Sequence, residues 1–339
     1  MSATSTPRAL WALTAAAGLV VSLAACSNDA DANGGGGGGG GGGDDDLTLE
    51  FNVYSRSLPY FQDMIRGIQD VADEDGVTVN VTYGETDPEL QFSQLENALS
   101  SVPDGLMVVP VDASALIPVI QQADSNGVPV VTLANDLAED GHASQLAHVG
   151  AQYVEIGRQK AQYIVDALGG QGTVAYIHGI RGLSFSEEQA RGAMEVFEEN
   201  PGITLIDGPY AGEFSSDAGL TATENVLTGN ATVDALYFDN DDIALGGILA
   251  VQQRGIAPDD ILIIGTDGGA PALEAISAGD LDMTISLCGY ATGRQGAQVL
   301  IDYVQDGTEP EDRVVPVEVL TITPDNLEAS QAQIDAGDC

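Results

Sequence analysis

The sequence predicts an α/β protein built as two doubly wound parallel-sheet lobes joined by a hinge. Three observations lead there. Short β-branched runs recur from Leu47 to the end of the chain. Between most of them lie stretches with apolar residues at i, i+3, i+4 and i+7, the spacing of one helix face. Several of the β-branched runs are apolar throughout rather than alternating, as suits parallel strands covered on both sides.

The elements follow in order. "LTLEFNVY" (47–54), "VTVNVTY" (77–83), "GLMVVPV" (105–111), "VPVVTLA" (128–134) and "QLAHVG" (145–150) read as the first strands. In 59–75, Phe61, Met64, Ile65, Ile68, Val71 and Ala72 share one helix face. In 113–126 the series Leu116, Ile117, Val119, Ile120 and Ala123 does the same. "GTVAYIHG", "GITLIDG", "VDALYFD", "ILIIGTD" and "LDMTISL" continue the pattern from 172 to 287. Two sheets of about five or six strands suit ordinary sheet widths better than one of about ten. A break near 149–152 divides them. The N-terminal lobe is then 47–149 plus 288–315, and the C-terminal lobe 150–287 plus 316–339. "VVPVEVLTI" (314–322) reads as a returning strand.

Open α/β sheets bind ligands beyond the carboxyl ends of their strands. The informative residues are therefore Ser55–Phe61, Asn135–Asp136, Asn240–Asp242 and Asp267–Gly268. Two lobes presenting these ends to each other form a cleft, and hinge closure would bury a solute there.

The first 46 residues are of another kind. Arg8 precedes an uncharged apolar run from Ala9 to Ala25, and "LAAC" ends it at Cys26. The segment resembles a secretory signal whose end resembles a bacterial lipobox. It implies a lipoprotein signal peptide over 1–26, with Cys26 lipidated as the first mature residue. The alternative is an ordinary secretory signal cleaved near Ala25. Residues 27–46, with glycine throughout 34–43, read as a flexible tether spanning roughly 25 Å. The expected location is extracytoplasmic, lipid-anchored to the cell membrane.

Acidic residues number 52 against 10 basic ones, and Lys160 is the only lysine. A chain so poor in cations is not built to neutralise phosphates, which excludes nucleic acid as a partner. It also argues against adhesion to an anionic membrane surface, leaving the lipid as the only membrane contact. Adaptation to high salt, which screens self-repulsion, accounts for the charge; acidic bias of the genome is the plainer alternative. In an oxidising setting Cys288 and Cys339 can pair. Otherwise Cys288 is a buried thiol and Cys339 a free terminal one.

"DASALIPVIQQADSNGVPVVTL" (112–133), "DALYFDNDDIALGGILAVQQRG" (234–255) and "ILIIGTDGGAPALEAISAGDLDMTIS" (261–286) resemble the ribose-type periplasmic sugar-binding proteins. These are ABC-transporter solute receptors of the type I periplasmic binding protein fold. The resemblance covers essentially all of 47–322. It implies that Tyr60 and Phe61 clasp a sugar ring, that Phe214 forms a further wall, and that Asn240 and Asp267 bond its hydroxyls. Ala134 and Asn135 stand where the family pattern has Asp then Arg after the fourth strand, with Asp136 next. A one-residue shift would let Asn135 and Asp136 do the reading, and Gln189 takes the place of an arginine. Leu58 and Leu287 stand where the family pattern has amides. Ribose itself becomes doubtful, and a less hydroxylated or differently shaped ligand fits these changes.

Other chemistry is thin. His142, His148 and His178 are scattered, and no metal, phosphate-loop or nucleophile-elbow motif appears. No metal, no cofactor and no catalysis are expected. The reading is a receptor that captures a small neutral solute, a monosaccharide or polyol, and hands it to ABC permease subunits. Alternatives are a non-sugar ligand on the same fold, such as a signalling molecule or nucleoside, and a sensing module for a partner kinase.

Overall fold

The computed structural model describes residues 47–230, 232–337 and 339. The signal segment, Cys26 and the glycine run lie outside the described residues.

In chain order the first half alternates β1 (Thr48–Val53), α1 (Pro59–Asp75), β2 (Thr78–Tyr83), α2 (Pro88–Leu99), β3 (Gly105–Val109), α3 (Ile117–Ser125), β4 (Val130–Leu133) and β5 (Ala147–Gly150). Then follow α4 (Tyr153–Ala167), β6 (Gly172–His178), α5 (Ser184–Glu199), β7 (Ile203–Tyr210), α6 (Ser216–Gly229), β8 (Ala235–Phe238), α7 (Asp241–Gln253), β9 (Leu262–Ile264), α8 (Ala270–Ala278) and β10 (Thr284–Ser286). The chain closes with α9 (Gly289–Asp306), β11 (Val314–Pro316), β12 (Leu320–Ile322) and α10 (Leu327–Ala336).

The helices start and stop where local chemistry directs. Pro59 and Pro88 occupy first-turn positions, where a missing N–H costs nothing. Asp87 caps α2 by accepting from the amides of Glu89 and Leu90 at 2.9 and 3.2 Å. α1 buries Phe61, Met64, Ile65, Ile68, Val71 and Ala72, the face read from the spacing, together with Gly67.

One sheet runs β11-β5-β4-β3-β1-β2 and another β7-β6-β8-β9, all their neighbours parallel. Both are covered on both faces. Met107 and Val131 pack with Met64 and Leu300 on one side, while Leu106 and Val108 pack with Leu95 and Ile120 on the other. In the second sheet Tyr176 and Tyr237 lie with Ile156 and Phe197, and Leu236 and Ile263 with Ile248 and Ile276. One of these apolar clusters includes residues of both sheets, joined through Tyr54, Phe61, Tyr153, Phe185 and Leu287. The described residues accordingly hold together as one body.

Two features differ from the sequence reading. "VVPVEVLTI" is not one strand: β11 pairs with β5, whereas β12 pairs antiparallel with β10. The chain changes sheets between them: Val317 N–H still donates to Gly150 O of β5 at 3.0 Å, and the crossing follows. The second sheet also has four strands rather than five or six. Its continuation to β10 runs through isolated parallel bridges, Ile264–Met283 and Asp267–Ser286, with backbone bonds such as Gly265 N–H to Met283 O at 2.9 Å.

Helices pack in three pairs through reciprocal glycines. A Cβ on Gly67 would lie 2.2 Å from the Tyr290 carbonyl oxygen, and one on Gly293 2.0 Å from that of Met64. Gly157 and Gly192 make the same approach between α4 and α5, against Gln189 and Val154 at 2.1 and 1.9 Å. Gly219 and Gly246 repeat it between α6 and α7. A disulfide joins Cys288, at the start of α9, to the terminal Cys339.

Candidate functional site

In each parallel sheet one strand is flanked by neighbours whose connections leave in opposite directions: β1 between β2 and β3, and β6 between β7 and β8. The loops part at the carboxyl ends of these strands and leave a crevice. The crevices of the two sheets meet in a small cavity of about 20 Å³, room for about one water.

Its walls come from both sheets. Tyr54 follows β1, and Leu58, Tyr60 and Phe61 belong to the loop and first turn of α1. Ala134 and Asn135 follow β4. From the other side come Tyr153 at the start of α4, Phe185 in α5 and Phe214 before α6. Asn240, Asp267 and Leu287 stand just beyond β8, β9 and β10. The rings pack edge to face or tilted: Tyr54–Phe61 at 4.9 Å, Tyr60–Phe61 at 5.3 Å, Tyr153–Phe185 at 5.1 Å and Phe185–Phe214 at 5.7 Å between centroids.

Three side chains bring the non-phenolic polar groups. Asn240 caps α7 by accepting from the Ile243 amide at 3.1 Å, and its Nδ2 donates to Asp267 Oδ2 at 3.1 Å. Asn135 Nδ2 donates to the Pro110 carbonyl at 2.9 Å. Asp267 has φ 125° and Ala134 φ 57°, both in territory that favours glycine. The Asp267 N–H donates to Ile285 O at 2.8 Å, which holds the strained residue at the sheet edge. Burial, with Asp241 and Asp242 nearby, raises the Asp267 carboxyl well above its usual range. The bond from Asn240 and the charge of Lys160 act the other way.

The structure thus brings Tyr60, Phe61, Asn135, Phe214, Asn240 and Asp267 around one cavity. It places Asp136 and Gln189 elsewhere. Asp136 turns into a polar cluster of its own, accepting from Gln145 Nε2 at 2.8 Å and Arg313 Nη1 at 3.3 Å, beside His142 and His148. Burial would raise its carboxyl, but His148, Gln145, His142 and Arg313 together hold it below the ordinary value. Burial pushes His148 down to about 4, against the pull of Asp136. Gln189 is fully buried one layer beneath the cavity, with Nε2 3.2 Å from the Asp239 carbonyl and Oε1 accepting from Lys160 Nζ at 3.1 Å.

Lys160 is the polar residue that sequence reasoning missed beneath the site. Its ammonium is wholly buried and donates to Phe238 O and Thr266 Oγ1, each at 2.6 Å, as well as to Gln189. These acceptors adjoin the segments that carry Asn240 and Asp267. Burial lowers its pKa to about 7, opposed by Asp239, Asp241 and Asp267. Tyr54, Tyr153 and Phe185 were also missed. Each stands in or just after the loop that leaves a strand, so the strand-end rule that selected Asn240 could have found them.

A larger hollow of about 700 Å³ lies alongside and shares Tyr60 and Asp267 with the first. Its lining comes from α1, α7, α8, the start of α9, α10 and the chain end, and includes Asp63, Asp70, Asp242 and Asp335. The smaller cavity alone brings in Asn135 and Asn240 and the rings of Tyr153, Phe185 and Phe214, which the hollow lacks, so it is the candidate site. No group of three or more His, Cys, Asp or Glu able to hold a metal occurs among the described residues. No helix among them is long and apolar enough to cross a membrane.

Comparison with known proteins agrees with the fold. The family described as "Periplasmic binding protein domain" matches residues 49–309. The ribose import binding protein RbsB of Bacillus subtilis (strain 168) is 30% identical over 241 residues, covering 71% of this chain and 76% of its own. The D-allose-binding periplasmic protein of Escherichia coli (strain K12) is 28% identical over 278 residues, covering 79% and 87%. Among solved structures, the periplasmic ribose ABC transporter from Conexibacter woesei DSM 14684 superposes with a TM-score of 0.76 at 40% identity, over 86% of this chain and 97% of that one.

Proposed function

Because the chain belongs to the periplasmic binding protein family, a family of solute binders rather than catalysts, we propose that it is an extracytoplasmic receptor for one small neutral solute, a monosaccharide or polyol. It clasps the solute between the strand ends of two hinged lobes, 47–149 with 288–315 and 150–287 with 316–339, and delivers it to the permease subunits of an ABC importer. Cys26 carries the lipid and 27–46 the tether. Tyr60, Phe61 and Phe214 cover the hydrocarbon faces of the solute, while Asn135, Asn240 and Asp267 read its hydroxyl edge.

The observation that carries this reading is the cavity itself. Aromatic rings from both sheets converge on the Asn240–Asp267 pair, whose bond is 3.1 Å long. Apolar walls with a few fixed polar groups are the usual make-up of a small-molecule site. The walls enclose far less space than a sugar needs, so the opposed faces part to admit it and close again around it.

Thermal unfolding with a panel of sugars and polyols tests the proposal. A ligand at 100 times its Kd adds roughly 2.7 kcal/mol of stability. Asp267→Ala should weaken binding by about 10- to 100-fold, the worth of a hydrogen bond to a carboxyl in a closed site, with the fold intact by circular dichroism. No shift with any member of the panel, or an Asp267→Ala protein that binds as tightly as the wild type, would contradict it.

A further inference from the structure

The cavity holds few polar atoms that a ligand could use, and most are already engaged. Asn240 uses its oxygen on the Ile243 amide and one N–H on Asp267. Asn135 uses one N–H on Pro110 O. The Tyr60 hydroxyl lies 3.5 Å from Thr292 Oγ1, outside the cavity lining. Tyr54 is bonded to Asn135, Tyr60 to Tyr153 and Asp242 to Asn240, which leaves chiefly the Asn135 amide oxygen and the second oxygen of Asp267 for a ligand.

No arginine or lysine lines the cavity. Lys160 does not reach it, because its three N–H bonds are directed to Gln189, Phe238 and Thr266. Everything else in the wall is hydrocarbon: the Leu58, Ala134 and Leu287 side chains and the faces of six aromatic rings. Each hydroxyl enclosed here without a partner gives up its bonds to water and gains none in return, which weakens binding. A solute with hydroxyls on every carbon brings more donors and acceptors than the wall can answer. A phosphate or carboxylate would find no counter-charge.

We propose that the preferred ligand is a neutral, sparsely hydroxylated monosaccharide, one in which one or more hydroxyls are replaced by hydrogen or capped by an alkyl group. This rests on the sugar-or-polyol reading above and narrows it. The hydrocarbon that replaces the missing hydroxyls packs on Tyr54, Tyr153 and Phe185. The remaining two or three polar groups meet Asn135, Asn240 and Asp267.

Isothermal titration of the whole mature chain tests it. The probes are D-ribose, 5-deoxy-D-ribose, methyl D-ribofuranoside, the polyols xylitol and myo-inositol, D-ribose 5-phosphate and choline. The expected result is that a deoxygenated or methylated probe binds at least tenfold more tightly than ribose, xylitol and myo-inositol, with no heat from ribose 5-phosphate. A fully hydroxylated probe that binds as tightly as the best deoxygenated or methylated one overturns this inference and leaves the sugar-receptor reading standing. If choline alone binds, the aromatic cavity serves a cation, and both the inference and the reading it rests on fall. If no probe binds, both fall together.

Discussion

Asp267 sits at φ 125°, a conformation that costs of order 1–3 kcal/mol and persists only where its surroundings impose it. Bonds from its own N–H to Ile285 and from Asn240 to its carboxyl fix it there, so its side chain is aimed before any ligand arrives. Lys160 works beneath it. In the unfolded chain its amine holds a proton up to the ordinary value of 10.5, whereas burial brings the folded value to about 7. Between those limits the unfolded state binds more protons, so raising the pH favours the fold. Relative to Lys160→Met, the wild type should therefore gain stability from pH 7 to pH 10.5, measured by urea unfolding. Because the chain has one lysine, a sample labelled at lysine Cε gives a single Cε resonance, which should titrate near 7. A resonance that titrates at 10.5 would contradict the buried placement.

At the scale of elements, glycine decides how closely the helices approach. A methyl group on Gly157 would stand 2.1 Å from the Gln189 carbonyl oxygen, so Gly157→Ala must push α4 from α5. Overpacking of this kind costs about 1–3 kcal/mol. It also separates Lys160 from Gln189, which these two helices carry. The expected result is a lower Tm with a changed Lys160 titration; an unchanged Tm would contradict the packing. Much of this architecture was legible in the sequence. The runs at 47–54 and 105–111 are apolar enough to be covered strands, and the face of α1 follows directly from its spacing. The split of 314–322 was not legible, since a β-branched run carries no mark of which sheet each half will join. Within the site, Asn240 and Asp267 were readable as polar residues following strands. Asp136 follows a strand too, yet three cationic or imidazole groups brought in by the fold draw it away. Gln189 was matched to a ligand position, but it lies on the buried face of α5, where Lys160 claims its oxygen. For Gln189 the partners Lys160 and Asp239 lie 29 and 50 residues away. For Asp136 the distant Arg313 joins nearby His142, Gln145 and His148 only once the loop after β4 has folded.

For the molecule as a whole, the central claim is that strand ends of both sheets enclose one neutral solute. The cavity of about 20 Å³ is too small for a sugar, so binding requires the two faces to separate and re-form around it. The acidic hollow of about 700 Å³ beside α10 is the competing location on the same body, and it shares two side chains with the first. A crystal structure grown with the tightest ligand from the titration decides between them. The account predicts one solute molecule packed on Phe61 and Phe214 with polar contacts to Asn240 and Asp267. Ligand density confined to the hollow between α1, α8 and α10, with the aromatic cavity still closed, would contradict it.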